Sequence, residues 1–148
     1  MEKARILWVD ENLDSSLRYH YMCLETGGFE LDKARTMREA LDLYTKKHYD
    51  LVILDLLMPG GDVFTREETK DGANSGMLLF KKLKAIKKDV PFIIFSAIVD
   101  EEVGRETITE IGKEVDGILA KSIYSGPEVL LARVQQVIAR PSPGRPSL

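Results

Sequence analysis

Four short runs of apolar residues divide the chain. They are Ile6-Leu7-Trp8-Val9, Leu51-Val52-Ile53-Leu54, Phe92-Ile93-Ile94-Phe95 and Ile118-Leu119-Ala120. Each run is continuous rather than alternating, which is typical of strands buried on both faces of a sheet. Residues 29–33 form a weaker candidate strand, whose alternating pattern suits an edge position. The pattern therefore predicts five strands.

The first two segments between these strands carry helical periodicity. Apolar residues spaced by four, four and three positions predict one helix face: Leu13, Leu17, Tyr21 and Leu24. Gly27 and Gly28 follow, where a helix is expected to end. Thr36 and Glu39 have the spacing of a capping box, which predicts that a second helix begins there.

Three further helices are predicted downstream. One begins near Ser75, and a less distinct one covers residues 100–113, where Gly104 and β-branched residues lower the helix propensity. Ser125 to Glu128 is interpreted as a second capping box, with Pro127 in the first turn of the last helix. A strand followed by a helix is thus repeated five times.

Such alternation predicts an α/β protein with a doubly wound parallel sheet and helices on both faces. In the five-stranded version the strand order is 2-1-3-4-5. The ligand site is then expected outside the carboxyl ends of the strands, between the first and third strands, where the winding reverses.

Composition narrows the class of protein. The chain has 148 residues, 44% of them apolar, and a net charge of −3, which predicts one globular domain without the basic excess of a nucleic-acid-binding module. No apolar run is long enough to cross a membrane. The first five residues lack a signal-peptide pattern and Cys23 has no disulfide partner, so a cytoplasmic location is expected.

Acidic residues follow two strands that meet at the predicted switch point. Asp10 and Glu11 end the first strand, and Asp55 ends the third. Acidic residues also cap helices, but converging carboxylates are costly unless a cation neutralises them. Oxygen ligands without histidine or cysteine favour Mg²⁺, with Mn²⁺ as a substitute.

A hydroxyl and an ammonium are expected at the same edge of the sheet. Ser96 ends the fourth strand and Lys121 follows the fifth. Either residue alone is equally well explained as an ordinary exposed side chain. Together with the carboxylates they predict a metal site beside an anion site, and a phosphoryl group is the anion that suits both. Asp55 is the candidate nucleophile.

The strand-end motifs resemble those of the receiver domain of two-component response regulators. They are Val9-Asp10-Glu11-Asn12, Leu51-Val52-Ile53-Leu54-Asp55 followed by Met58-Pro59, Phe95-Ser96-Ala97, and Asp116-Gly117-Ile118-Leu119-Ala120-Lys121. The resemblance covers residues 4–140 and implies the flavodoxin-like receiver fold.

The resemblance also implies the roles of individual residues. Glu11 and Asp55 would bind Mg²⁺ directly, together with the backbone carbonyl of Leu57, and Asp10 would act largely through metal-bound water. Asp55 would accept phosphate from a histidine kinase, a phosphotransfer protein or a small phosphodonor. Ser96 and Lys121 would bind the phosphate oxygens.

These roles predict a phosphoacceptor signalling module of a phosphorelay rather than an enzyme acting on a separate substrate. The module would promote its own phosphotransfer and, because Leu57 and Ile98 are apolar where the family tunes access of water, slow self-dephosphorylation. It would act on a downstream output protein or domain as a monomer or weak dimer. The alternative is a degenerate receiver that binds partners without phosphorylation.

Several features depart from the family pattern. Glu11 replaces the usual aspartate, and Ser122 follows Lys121 where the family usually has proline with a cis peptide bond. Residues 56–75 form a long polar loop between the third strand and the third helix, interpreted either as a solvated insertion or as a lid or docking element. Residues 141–148 are proline-rich and predict a disordered tail or the start of a linker.

Two further side chains, Trp8 and His20, lie near the predicted site or carry a phosphotransfer-type group. Trp8 lies two residues before Asp10, so its fluorescence is expected to respond to Mg²⁺ or a phosphate mimic, unless it is a buried strand residue insensitive to the site. His20 is interpreted as an ordinary helix residue, since no four-helix context for a phosphotransfer histidine is predicted.

Overall fold

The computed structural model describes residues 3–58, 63, 64, 67, 75–100, 102–122 and 125–140. Five strands and five helices alternate in it, with single 3-10 turns on either side of the fourth helix. In chain order they are β1 (Arg5–Val9), α1 (Arg18–Thr26), β2 (Glu30–Ala34), α2 (Met37–Lys46), β3 (Leu51–Leu54), α3 (Ser75–Ile86), β4 (Phe92–Ser96), the 3-10 turn Ala97–Asp100, α4 (Glu102–Ile111), the 3-10 turn Gly112–Glu114, β5 (Gly117–Ala120) and α5 (Pro127–Ala139).

The strands form one parallel sheet in the order β2-β1-β3-β4-β5, as predicted. The register brings the ends of neighbouring strands level. Val9 pairs with Leu54, and Ser96 pairs with Ala120. The residues that follow these pairs, Asp10, Asp55 and Lys121, therefore emerge at the same edge of the sheet.

Two apolar clusters, one on each face, hold the helices to the sheet because strand side chains alternate between faces. The α2–α4 cluster combines residues such as Val9, Leu54 and Ile94 with α2, α3 and the end of α4. The α1–α5 cluster combines Trp8 and Phe95 with α1 and α5. This division confirms the doubly wound architecture.

Helix α1 begins later than its periodicity predicts. Residues 11–17 form turns, and the amide N–H groups of Ser15 and Leu17 both donate to the Asn12 carbonyl. Leu13 and Leu17 are nevertheless buried in the α1–α5 cluster. Their spacing reflects burial of the turn against the sheet, so the prediction of helix over this stretch was wrong.

The two predicted capping boxes differ in outcome. The Thr36 hydroxyl accepts a hydrogen bond from the Glu39 N–H, which confirms the start of α2, although the Glu39 carboxylate accepts from Arg35 N–H rather than from Thr36. At α5 the prediction was wrong. Gly126 is the N-cap residue, without a side-chain cap, and Ser125 lies one position too early because Pro127 already begins the helix.

The predicted domain limits, 4–140, stay a prediction, and the predicted tail, 141–148, lies outside the described residues. Within the described part of the chain, no helix is long and apolar enough to cross a membrane.

Candidate functional site

Asp10 is held directly after β1 and has no exposed surface. Its backbone N–H donates to the Ala34 carbonyl at 2.9 Å, which continues the pairing with β2. Its Oδ1 accepts from the Asn12 N–H at 2.8 Å. The second carboxylate oxygen is thereby directed toward the carboxyl ends of the other strands.

Asp55 occupies the equivalent place after β3, where its N–H donates to the Val9 carbonyl at 3.1 Å. Its Oδ1 accepts from the Ser96 hydroxyl at 2.6 Å and from the Leu57 N–H at 3.0 Å. Its Oδ2 accepts from the Lys121 ammonium at 2.9 Å. This buried carboxylate therefore contacts both predicted anion-binding side chains.

Lys121 joins the two carboxylates. Its backbone N–H donates to the Ser96 carbonyl at 3.1 Å, which places the residue beside the end of β4. Its Nζ lies 2.7 Å from Oδ2 of Asp10 and 2.9 Å from Oδ2 of Asp55. The contact with Asp10 is an ion pair without the angles of a directed hydrogen bond. One ammonium thus faces two buried negative charges.

Burial acts on the pKa values of Asp10 and Lys121. It raises the pKa of the Asp10 carboxyl above its ordinary value of 3.8, and the Lys121 ammonium offsets this only in part. Burial alone would lower the pKa of Lys121, but Asp55 and Asp10 outweigh it and the pKa is raised. The lysine therefore stays charged. Because two carboxylates share this one ammonium, a second cation would reduce the repulsion between them.

Glu11 directly follows Asp10 in the chain and is exposed, whereas Asp10 and Asp55 are buried. Within the described ranges, no three carboxylate, imidazole or thiol side chains are close enough to hold a metal ion together. Asp10 and Asp55 remain as oxygen ligands, and Mg²⁺ in proteins commonly uses one or two carboxylates and keeps several waters. The donor set fits magnesium, and the contribution of Glu11 stays a prediction.

The segment after Asp55 is anchored at the start of α3. The buried Ser75 hydroxyl accepts from the Met58 N–H at 3.0 Å, and the Gly76 N–H donates to the Leu56 carbonyl at 2.9 Å. A Cβ atom on Gly76 would lie 2.2 Å from the Leu56 Cα. Sequence reasoning missed this role, although a glycine in the first turn of a helix was a visible signal.

This anchor closes the base of the long loop predicted over residues 56–75. Val63 and Phe64 pack against the α2–α4 cluster, and the Lys82 ammonium lies 5.8 Å from the Phe64 ring centre. Residues 59–62, 65, 66 and 68–74 lie outside the described residues, as does the side chain of Ile98. Leu56, Leu57 and Met58, which directly follow Asp55, belong to the described residues.

The comparison that decides the family covers most of the chain. Residues 6–135 match the response regulator receiver domain family. This chain belongs to that family. The strand order of this chain agrees with the match. So do the motifs at the ends of β1, β3, β4 and β5.

Curated relatives of this receiver domain are longer proteins. It is 29% identical over 144 residues to a probable transcriptional regulator, ycf27, of Porphyridium aerugineum. The aligned region covers 95% of this chain and 50% of that protein. It is 28% identical over 142 residues to the response regulator MprA of Mycolicibacterium vanbaalenii, covering 95% and 52%. The chain spans about half the length of these relatives.

Solved receiver domains share the fold over almost the full length. The non-phosphorylated HemR receiver domain of Leptospira biflexa has a TM-score of 0.72 and 27% identity, covering 99% of this chain and 100% of that one. A CheY-like receiver domain of Methanospirillum hungatei also has a TM-score of 0.72, at 20% identity and coverages of 93% and 94%. The second likeness concerns the fold alone.

Proposed function

We propose that this receiver domain accepts a phosphoryl group on Asp55 in a Mg²⁺-dependent reaction. The observation that supports this most directly is the set of donors on Asp55. A hydroxyl and a backbone N–H donate to one carboxylate oxygen, and an ammonium donates to the other. Such donors suit the oxygens of an incoming phosphoryl group.

The proposed step is a displacement at phosphorus. An Asp55 oxygen forms the new O–P bond, the bond from phosphorus to the donor's nitrogen or oxygen breaks, and the donor leaves with the electron pair. Lys121 and Ser96 already lie within hydrogen-bonding distance of the Asp55 carboxylate. They would therefore contact the phosphoryl oxygens after only a local rearrangement.

Magnesium would be held by Asp10, Asp55 and the backbone carbonyl of Leu57. The exposed Glu11 would be a further ligand. When bound, it supplies positive charge against the phosphoryl oxygens. The raised pKa of the buried Asp10 carboxyl supports this assignment, because it reflects a carboxylate that lacks sufficient compensation for burial.

The phosphoryl group would come from a histidine kinase or phosphotransfer protein. Phosphorylation adds a charge of about −1.5 to −2, which would change the partners of Ser96 and Lys121 and the surface above them. The output would be carried by another protein or by a further domain, since the related regulators are about twice as long. Self-dephosphorylation would be slow, because Leu57, whose N–H donates to Asp55, has an apolar side chain that cannot position a hydrolytic water.

A phosphorylation-independent interaction module is the second candidate. The observation that favours it is the position of Glu11, which lies at the surface rather than with the two buried carboxylates. Under this alternative, Lys121 would serve permanently as the neutralising cation.

The test is to incubate the protein with Mg²⁺ and acetyl phosphate, measure the intact mass, and repeat the reaction with Asp55→Asn and without metal. We expect one hydroxylamine-labile phosphate on the wild type only, with Mg²⁺ required. No adduct on the wild type would favour the second candidate. An equal adduct on Asp55→Asn would show that another residue is the nucleophile.

A further inference from the structure

His20 connects two parts of the chain that are far apart in sequence. It lies on α1, and its Nε2 is 2.9 Å from the backbone carbonyl oxygen of Ser125. A carbonyl oxygen only accepts hydrogen bonds, so Nε2 carries the proton and donates. Nδ1 is buried and has no hydrogen-bond partner among the described residues.

The bond supports the segment that follows Lys121. The Ser122 carbonyl accepts from the Ser125 N–H at 3.1 Å, and the next residue, Gly126, is the N-cap of α5 and makes no side-chain cap. The described residues contain no cis peptide bond, so the Lys121–Ser122 bond is trans. The hydrogen bond from His20 is therefore a long-range restraint on this turn from another element.

The imidazole also shares a packing partner with the lysine. The Phe95 ring centre lies 5.6 Å from the centre of the His20 ring and 6.0 Å from the Lys121 Nζ. Phe95 is buried and immediately precedes Ser96, the hydroxyl donor to Asp55. His20 thus lies behind the site, in contact with its supporting ring but not with either carboxylate.

We propose that His20 is a positioning residue for Lys121. By donating to Ser125 it restrains the turn behind the lysine, and so keeps the ammonium between Asp10 and Asp55. A lysine side chain has many rotamers, so the position of its backbone decides how often the ammonium reaches both carboxylates. The expected effect of His20 on the rate of phosphorylation rests on the proposed function of Asp55.

The experiment compares His20→Phe, which retains a ring against Phe95 but removes the donor, with His20→Gln, whose amide N–H can donate to Ser125. Phosphorylation by acetyl phosphate and Mg²⁺ is followed by intact mass. Loss of one hydrogen bond predicts a rate about three- to tenfold lower for His20→Phe. His20→Gln is expected to stay within about twofold of the wild type, and His48→Phe, at the exposed second histidine, to match it.

A second measurement does not depend on phosphorylation. The NMR signal of the Lys121 ammonium is recorded in metal-free protein and assigned by its loss in Lys121→Arg. We expect slow proton exchange, and hence a visible signal, in the wild type and His20→Gln. In His20→Phe the signal should broaden while the backbone amide spectrum shows a folded protein.

The outcomes separate the two proposals. If the wild type is not phosphorylated on Asp55, the proposed function fails, and the ammonium signal still tests the restraint. If the wild type is phosphorylated but His20→Phe reacts at the same rate, or its Lys121 signal is unchanged, the positioning role is overturned. A His20→Gln variant that is as slow as His20→Phe would overturn it equally.

Discussion

The segments that follow β3 and β5 supply Asp55 and Lys121 to the site, but they are held in different ways. After β3, Leu56 and Met58 are fixed by a buried serine and by a glycine in close backbone contact at the start of α3. After β5, the described part of the turn behind Lys121 receives a side-chain hydrogen bond from His20 on α1, at the Ser125 carbonyl.

The difference is one of packing. Close backbone contact leaves no room for an added atom, since interiors are packed as densely as organic crystals. A hydrogen bond from an imidazole to a carbonyl has a modest net effect and allows the two elements to shift. The segment carrying Asp55 is therefore expected to be rigid, and the segment carrying Lys121 to be adjustable.

The largest expected effect comes from breaking the rigid segment with Gly76→Ala. The new Cβ atom would meet the Leu56 backbone at 2.2 Å, so the turn beside Asp55 must move. We expect the free energy of unfolding to fall by about 1–3 kcal/mol or more. Chemical denaturation measures this, and phosphorylation should slow because the Leu57 N–H donates to Asp55.

Gly112→Ala is the matched control for this prediction. The nearest heavy atom to its added Cβ would be a methyl carbon of Ile108 at 3.8 Å, an ordinary contact. Its stability should be unchanged or raised by up to about 1 kcal/mol. If both variants lose the same free energy of unfolding, the close contact between Gly76 and Leu56 does not explain the loss.

A smaller effect is expected from the charges around Lys121. Burial raises the pKa of Asp10, so ionising this carboxyl costs the folded state stability as the pH rises above 3.8. In metal-free buffer at pH 7, Asp10→Asn should therefore increase the free energy of unfolding, on the order of 1 kcal/mol. The gain should shrink toward zero as the pH falls below 3.8.

Asp14→Asn provides the control with the opposite sign. Hydrogen bonds from Lys33 and Arg35 lower the pKa of this exposed carboxyl, so its charge is favourable in the folded protein. Thermal unfolding over a pH series should show no stabilisation of Asp14→Asn at neutral pH. A stabilised Asp14→Asn would attribute the Asp10 effect to net charge rather than to burial.

The smallest effect is expected in the fluorescence of Trp8, the single tryptophan of the chain. Its ring lies 6.3 Å from Phe95, whose ring also faces the Lys121 ammonium. Adding Mg²⁺ with beryllium fluoride, a phosphoryl mimic, should give a small saturable change in emission. The change should vanish in Asp55→Asn, and an unresponsive wild type would show that Trp8 is insensitive to the site.

Much of the site was predictable from position along the strands. Asp10, Asp55 and Ser96 end or follow buried apolar runs, and Lys121 follows the partly buried apolar run of the edge strand β5. Parallel strands bring their carboxyl ends to one edge. The strand order and both helix layers follow from the same repeating pattern. These features depend on local periodicity, which a sequence displays directly.

The tertiary structure decided what depends on contacts between distant segments. Leu13 and Leu17 have helical spacing but lie in turns, because burial against the sheet satisfies the same pattern. Ser125 looks like a helix cap but instead accepts from His20, which is 105 residues away. By itself the sequence determined the sheet and the acids, hydroxyl and lysine at its edge. Only packing determined which side chains restrain them, since that depends on how α1 and α3 approach the strand ends.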